Sequence, residues 1–358
     1  MYKAIWGQAH TDNAMLTKEK NKTFQLTFAS ALSGSGVKVT FYNKYDKKGF
    51  TISEAVLDIN GEESALTFSG EKSCKLALGD CVQSDEVSAR ISREDRICIR
   101  YAIEGTVTSG NTLIEEVKVS AENGNFVHEP GFECRPRTKT ELRHGIQFLL
   151  PAVEEISVNT DEDKRVIVCM GDSITQKSQW TIPFRKMFMD DGEEAAVINK
   201  GIDGNMLMMD PIIFFFNMFG KSGVSRFDHD ILGVSGATDL IIALGTNDIV
   251  MGRKGFTVDK YIDTLKKLVN KAEAMGIKTY VCTITPRKDK SFKGVMIDNR
   301  RAANERIRNE FRFIEYAEGM AAGGDLDTLD ESCALDDLLH PNAKGGLRMA
   351  EIIYNTIK

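Results

Sequence analysis

The hydrophobic pattern changes its period near residue 160, so one chain must build two kinds of sheet. Upstream, apolar positions alternate, as in Val37-Lys38-Val39-Thr40-Phe41-Tyr42. Ile97, Ile99, Tyr101 and Ile103 share one face of a second run, with Arg100 on the other. Phe24-Gln25-Leu26-Thr27-Phe28 and Leu113 to Val119 are further strand candidates. Turn-forming clusters such as Ser33-Gly34-Ser35-Gly36 and Ser109-Gly110-Asn111 separate them at short spacing. Period-two strands with frequent turns predict an all-β sandwich of jelly-roll type. Downstream, strands are nearly continuous apolar runs: Arg165 to Met170, Ala196 to Asn199, Leu240 to Leu244 and Thr279 to Ile284. Such runs suit strands covered on both faces. Helical patterns lie between and after them, over about Trp180–Met189, Val258–Met275, Val295–Phe311 and Ala343–Ile357. In the second, Tyr261, Leu265, Leu268, Val269 and Ala272 fall on one face, and Met275-Gly276 supplies a stop. The alternation predicts an α/β unit with a parallel sheet between helix layers. The polar stretch from Val158 to Lys164 reads as a linker, which predicts domains of 1–157 and 158–358.

Composition excludes several classes of function. The net charge of −6 and pI of about 5.6 leave no basic footprint for a broad nucleic-acid surface. The longest apolar stretch, Pro211 to Phe219, is broken by Asn217 and is too short for a membrane span, which needs about 20 residues. The N-terminal residues Met1 to Gln8 lack the apolar core of a signal peptide. The expectation is a cytoplasmic protein, or a secreted one if a leader has been removed. Seven cysteines, an odd number with no Cys-x-x-Cys pair, argue against a disulfide framework or zinc cluster. Cys98, Cys169 and Cys282 lie in strand-like runs and are expected to be buried free thiols.

Three successive strand candidates of the second half end in short polar, glycine-containing stretches: Gly171-Asp172-Ser173, Asn199 to Asn205, and Gly245-Thr246-Asn247-Asp248. In open parallel sheets the carboxyl ends of strands are where ligands bind. Ser173 follows a strand and a Gly-Asp turn, a placement that suits either a helix N-cap or a nucleophile. A serine nucleophile needs a base. Of five histidines only His229 and His340 lie in the α/β half. His229 sits in a charged segment that reads as a solvated helix start. His340 sits before the last helix with Asp337 three residues upstream, a spacing that lets a tight turn bring the carboxylate to one ring nitrogen. His10, His128 and His144 have no serine or aspartate partner in a comparable motif.

Gly171-Asp172-Ser173-Ile174, Gly201-Ile202-Asp203-Gly204-Asn205, Gly245-Thr246-Asn247-Asp248 and Asp337-x-x-His340-Pro341 resemble, in this order, the four sequence blocks of the GDSL/SGNH hydrolase superfamily. The resemblance covers about residues 164–358 and implies a flavodoxin-like three-layer hydrolase domain. It implies Ser173 as nucleophile, His340 as base and Asp337 as its orienter. It further implies an oxyanion hole from the Ser173 and Gly204 backbone N–H groups and the Asn247 side-chain amide, with Asp172 and Asp248 in supporting positions. Three donors aimed at one oxygen are what a tetrahedral acyl intermediate requires. One departure stands out: members often carry a glycine two residues after the Ile-Thr of the first block, whereas here Ile174-Thr175 is followed by Gln176-Lys177.

Arg226 to Asp248, with Gly236-Ala237-Thr238 before the third strand, is similar to a subgroup of carbohydrate esterases that place a β-rich domain ahead of the hydrolase. That likeness implies a serine esterase removing short acyl groups, acetyl above all, from a carbohydrate. The partner would be a small-molecule or oligosaccharide ester, and the mechanism requires no metal or organic cofactor. Two alternatives stay open: a lysophospholipase or thioesterase, favoured by the apolar run from Met206 to Phe219, and a non-catalytic glycan-binding protein, disfavoured by the Ser173, His340 and Asp337 set. Assembly into a homo-oligomer also stays open. The acidic segment Asp325 to Glu331 reads as a solvated loop.

Overall fold

The computed structural model describes residues 1–14, 18–112, 118–129, 149–210, 219–252 and 255–358. Two compact units meet in sequence at Lys164 and Arg165. In the first, an antiparallel sheet runs β1 (Tyr2–Gly7), β14 (Val153–Asn159), β4 (Gly34–Tyr42), β8 (Cys81–Gln83), with β9 (Val87–Ile91) also on β4. A second runs β12 (Lys118–Asn123), β3 (Glu19–Ala29), β10 (Arg96–Val107), β5 (Phe50–Ile59), β6 (Glu62–Ala65), with β7 (Cys74–Leu76) on β5. A small third sheet joins β13 (Leu149–Pro151), β11 (Ser109–Thr112) and β2 (Thr11–Asp12). The two large sheets share a core: Trp6 meets Phe28 at 6.3 Å between ring centroids, and Phe41 meets Tyr101 at 5.3 Å. Val158 and Asn159, read above as the start of the linker, complete β14 by pairing with β1 and β4. Of the Leu113–Val119 strand candidate, residues 113–117 lie outside the described residues, and β12 begins at Lys118.

Arg100 does point away from Tyr101, but it is buried. Its guanidinium pairs with Asp58 and Glu63 and donates to the Val127 carbonyl at 2.6 Å. That face of the sheet is covered too, by Val127 against Val56 and Ala102.

The second unit is built on five parallel strands: β15 (Arg165–Gly171), β16 (Ala195–Gly201), β17 (Asp239–Ala243), β18 (Lys278–Cys282) and β19 (Phe313–Ile314). Their spatial order, β16-β15-β17-β18-β19, is the doubly wound flavodoxin-like order 2-1-3-4-5. Its helices are α1 (Ser173–Gln176), α2 (Thr181–Asp190), α3 (Gly223–Phe227), α4 (Thr246–Met251), α5 (Val258–Glu273), α6 (Val295–Glu310), α7 (Tyr316–Gly319) and α8 (Ala343–Ile357). Ile167, Cys169, Val197, Ile241 and Cys282 turn to one face, against Trp180, Phe184, Phe188, Met349 and Ile353 of α2, α8 and the turn before α2. Val166, Val168, Met170, Leu240 and Ile242 turn to the other and are equally buried, which accounts for the continuous apolar runs. Cys98, Cys169 and Cys282 are buried thiols.

The acidic segment is not a loop. Asp325–Leu329 forms β21, paired with β20 (Ala321–Ala322). Asp327 binds Arg300 and Arg301, Asp330 binds Arg348, and Glu331 binds Lys288, so three of its four acids pair with cations that local sequence does not reveal. Among the described residues no helix is long and apolar enough to cross a membrane.

Candidate active site

The topology brings three strand ends side by side. β15 lies between β16 and β17, so the residues after Gly171, Gly201 and Ala243 share one rim. Ser173 begins α1 directly after β15, and Asp172 caps that helix by accepting the Ile174 N–H at 3.0 Å. The turn is tight: a Cβ on Gly171 would stand 1.9 Å from the Thr175 hydroxyl oxygen. Asp172 is enclosed. Burial, helped by the charges of Asp203 and Asp248 and opposed by Arg287, pushes its carboxyl up to about 7.

His340 reaches this rim from the other end of the chain. Its Nε2 stands 2.7 Å from Ser173 Oγ and its Nδ1 stands 2.5 Å from Asp337 Oδ2. The Asp337–His340 turn is self-braced, with Asp337 Oδ1 accepting the N–H groups of Leu339 at 3.0 Å and His340 at 2.9 Å. Leu338 is forced to a φ of +55°, a left-handed conformation that leucine rarely adopts. The Lys288 N–H fastens the turn through the Leu338 carbonyl at 3.1 Å. Burial alone would raise the Asp337 carboxyl, but bonds from the His340 ring and the two N–H groups hold it down at about 2. A carboxylate ionised at every working pH, a histidine ring beyond it and a hydroxyl beyond that can move a proton from oxygen to nitrogen.

On the opposite side of Ser173, Ile202 to Asn205 forms a turn closed by Asn205 N–H to the Ile202 carbonyl at 3.1 Å. Gly204 has a φ of +66° while Asp203 is not left-handed, the pattern of a type II turn. A Cβ on Gly204 would lie 2.5 Å from the Phe219 ring, so this position requires glycine twice over. Asn247, in the first turn of α4, donates one side-chain N–H to the Asn205 carbonyl at 3.1 Å. Asp248 accepts the N–H groups of Leu207 at 2.8 Å and Met208 at 2.9 Å, and burial raises its carboxyl to about 6 against these bonds. Among the described residues, no group accepts a hydrogen bond from the N–H of Ser173 or Gly204.

Ser173, His340, Asp337, Gly204, Asn247, Asp172 and Asp248 therefore all fall at one rim. His229 does not join them; it is exposed in the π-helical turn Asp228–Leu232. His10, without such a motif in sequence, gains partners across the fold: Nδ1 meets Ser109 Oγ at 3.1 Å and Nε2 lies 3.2 Å from Glu154. His10 and Ser109 are both fully buried, so this trio braces a core and meets no substrate. His144 lies outside the described residues.

Three buried residues that the sequence analysis left aside hold the rim together. Arg226 donates to the carbonyls of Lys200 at 2.7 Å and Gly171 at 3.3 Å, and to Asn205 Oδ1 at 3.2 Å. Asn205 in turn clamps the Phe219 and Lys221 carbonyls, each at 2.8 Å. Asn199 ties the Thr175 carbonyl at 2.9 Å to the Gly201 N–H at 2.9 Å. The only signal in sequence was position, and only for the two asparagines, which lie at or just beyond the end of β16; Arg226, inside α3, carried none. A small cavity adjoins the rim, lined in part by Asp172, Ile174, Leu244, Thr246, Ile284 and Met349.

Residues 167–353, just over half of the chain, match the sequence profile of GDSL-like lipases/acylhydrolases. Similar solved structures include a GDSL-like lipase from Bacteroides thetaiotaomicron, 21% identical over 55% of this chain and 90% of that one, with a TM-score of 0.41. An esterase from a Pseudoalteromonas species is 20% identical over 54% of this chain and 96% of its own, with a TM-score of 0.41. An acetyl xylan esterase from Geobacillus stearothermophilus is 18% identical over 54% and 94%, with a TM-score of 0.42. No curated protein matches the chain. On the family match, the chain belongs to the GDSL-like lipase/acylhydrolase family and is a carboxylic ester hydrolase.

Proposed function

We propose that the chain is a serine esterase that removes short acyl groups, acetyl foremost, from a carbohydrate, with Ser173 as nucleophile, His340 as base and Asp337 as its orienter. The observation that carries this reading is the unbroken relay from Asp337 through both nitrogens of His340 to Ser173 Oγ, at 2.5 and 2.7 Å. Ser173 Oγ attacks the ester carbonyl carbon and its proton passes to His340 Nε2. The carbonyl oxygen becomes an oxyanion that accepts from the free N–H groups of Ser173 and Gly204 and from the second side-chain N–H of Asn247. Collapse expels the sugar alkoxide, which takes the proton from His340 and leaves an acyl-serine. Water then attacks the acyl carbon, His340 takes its proton, and collapse returns that proton to Ser173 Oγ as the carboxylic acid leaves. Asp337, held ionised, stabilises the transient imidazolium without taking the proton.

The short acyl group is supported by the small size of the cavity that adjoins the rim. The carbohydrate rests on the likeness of Arg226 to Asp248 to carbohydrate esterases and on the strand-rich first unit. The test is a panel of acetylated sugars beside p-nitrophenyl esters of rising chain length, with wild type and Ser173→Ala. Acetylated sugars and acyl groups of up to about four carbons should turn over best, and the variant should lose about 10⁴-fold or more in kcat. An optimum at eight or more carbons would shift the reading to a lipid or thioester acylhydrolase. A variant with more than a few per cent of wild-type turnover would remove Ser173 from the role.

A further inference from the structure

The residue just before Lys177, where this chain lacks the glycine common in its family's first block, sits against the turn that carries Gly204. Gln176 ends α1, three residues after Ser173, and is buried. Its side-chain oxygen accepts the N–H of Asp203, the residue before Gly204. The two backbones are pressed together here: a Cβ on Gly201 would lie 2.4 Å from the Gln176 nitrogen and 2.8 Å from its Cα. The Ile202–Asn205 turn thus meets the serine-bearing helix through a side-chain bond at its first corner.

That bond bears on catalysis because of what a type II turn is. Its central peptide, here Asp203–Gly204, carries the Gly204 N–H. Rotation of that peptide converts type II to type I and sends the N–H to the opposite face. In type I the glycine at the third position would leave the left-handed region it occupies at +66°. Glycine allows both states, so its own backbone does not hold the N–H in place. Asn205 secures the far corner through its side chain and through the 3.1 Å bond from Asn247 to its carbonyl. Gln176 secures the near corner, and does so from the helix that presents the other backbone donor, Ser173 N–H.

We propose that Gln176 is a positioning residue for the oxyanion site: by binding the Asp203 N–H it sets the Gly204 N–H relative to that of Ser173. It does not touch the reacting atoms. The inference rests on the serine-esterase reading above, in which both N–H groups face the oxyanion.

The test removes the bond from each end. Gln176→Met keeps length and removes the acceptor; Gln176→Glu keeps an acceptor. Asp203→Pro removes the donor at a turn position that proline suits, with Asp203→Ala as its reference for loss of the carboxylate. On p-nitrophenyl acetate, Gln176→Met and Asp203→Pro should each lower kcat by about 10- to 100-fold, less than the roughly 10²–10³ of deleting an oxyanion donor outright. KM should stay within about twofold. Affinity for a short alkylphosphonate or alkylboronic acid, which place a tetrahedral centre on the serine, should fall in parallel with kcat. Gln176→Glu should recover most of the loss, and the double variant should be no worse than either single one, because both delete the same bond. Additive losses, a fall in melting temperature that accounts for the loss of activity, or unchanged affinity for the tetrahedral ligand would each overturn the proposal. Ser173→Ala separates the two levels. If it is inactive while Gln176→Met behaves as wild type, only the positioning role fails; if it stays active, the serine reading fails first.

Discussion

His340 owes its place to two neighbours of different strength. Ser173 Oγ lies on one nitrogen and the Asp337 carboxylate on the other, and Asp337 is itself gripped by two backbone N–H groups. Removing the base leaves the serine with nothing to take its proton, whereas removing the carboxylate leaves a ring still next to the hydroxyl. His340→Ala is therefore expected to match Ser173→Ala, and Asp337→Ala to retain about one to two orders of magnitude more activity than either. His229→Ala should stay within a few-fold of wild type, since that ring is exposed on the π-helical turn. Steady-state kinetics on p-nitrophenyl acetate decides all three. An inactive His229 variant beside a working His340 variant would reverse the assignment of the base.

Helix α3 works as a clasp across strand ends. Ser222 caps it, and the helix continues without a break into the Asp228–Leu232 π-helical turn. That geometry points Arg226 inward to the ends of β15 and β16 and sets Asp230, four residues on and equally buried, beside its guanidinium at 3.5 Å. Arg226→Met fills similar volume but withdraws donors from the Gly171 and Lys200 carbonyls and leaves Asp230 without its cation. Breaking a buried pair in this one-sided way costs about 3–5 kcal/mol. The variant should lose that much unfolding free energy in urea, and Arg226→Lys should lie between because a single ammonium cannot span the four acceptors. A loss below about 1 kcal/mol would mean that the strand ends hold their places without the clasp.

For the molecule as a whole, the buried carboxyls under the rim set how stability follows pH. Asp172 is raised by burial to about 7 and Asp248 to about 6, whereas an unfolded aspartate titrates near 3.9. Between about pH 4 and 7 the native state binds more protons than the unfolded chain, so stability falls as pH rises through that window. Asp337, held at about 2, acts with the opposite sign, and its contribution is lost only as pH falls below about 4. Asp172→Asn can still cap α1 but cannot ionise. Relative to wild type it should gain about 2–3 kcal/mol of unfolding free energy between pH 5 and pH 8, the free-energy equivalent of the shift traversed there. Urea titrations of both proteins at the two pH values test this, and a difference that stays constant with pH would refute it.

Much of this was legible in the chain before any fold was known, and for a local reason. Hydrophobic period separates a two-sided sheet from an alternating one, and so anticipated both the sandwich and the parallel sheet. Asp337 and His340 are three residues apart, so a single turn suffices to join them. Ser173, Gly204 and Asn247 each follow a strand, and strand ends of a parallel sheet lie on one rim whatever the order of the strands. What crosses the fold was legible only where the family resemblance paired Ser173 with His340; no local pattern showed the rest. The bond from His340 to Ser173 spans 167 positions, that from Arg226 to Gly171 spans 55, and that from Gln176 to Asp203 spans 27. Their partners depend on the order 2-1-3-4-5 and on register, which no local pattern encodes. Charge partners were hidden in the same way: the cations and carboxylates that pair with Arg100 and with Asp327, and the serine beside His10, arrive from distant strands and helices. Local spacing chose the chemistry, and long-range packing chose the scaffold that holds it, because desolvation and hydrogen-bond geometry are properties of neighbours in space.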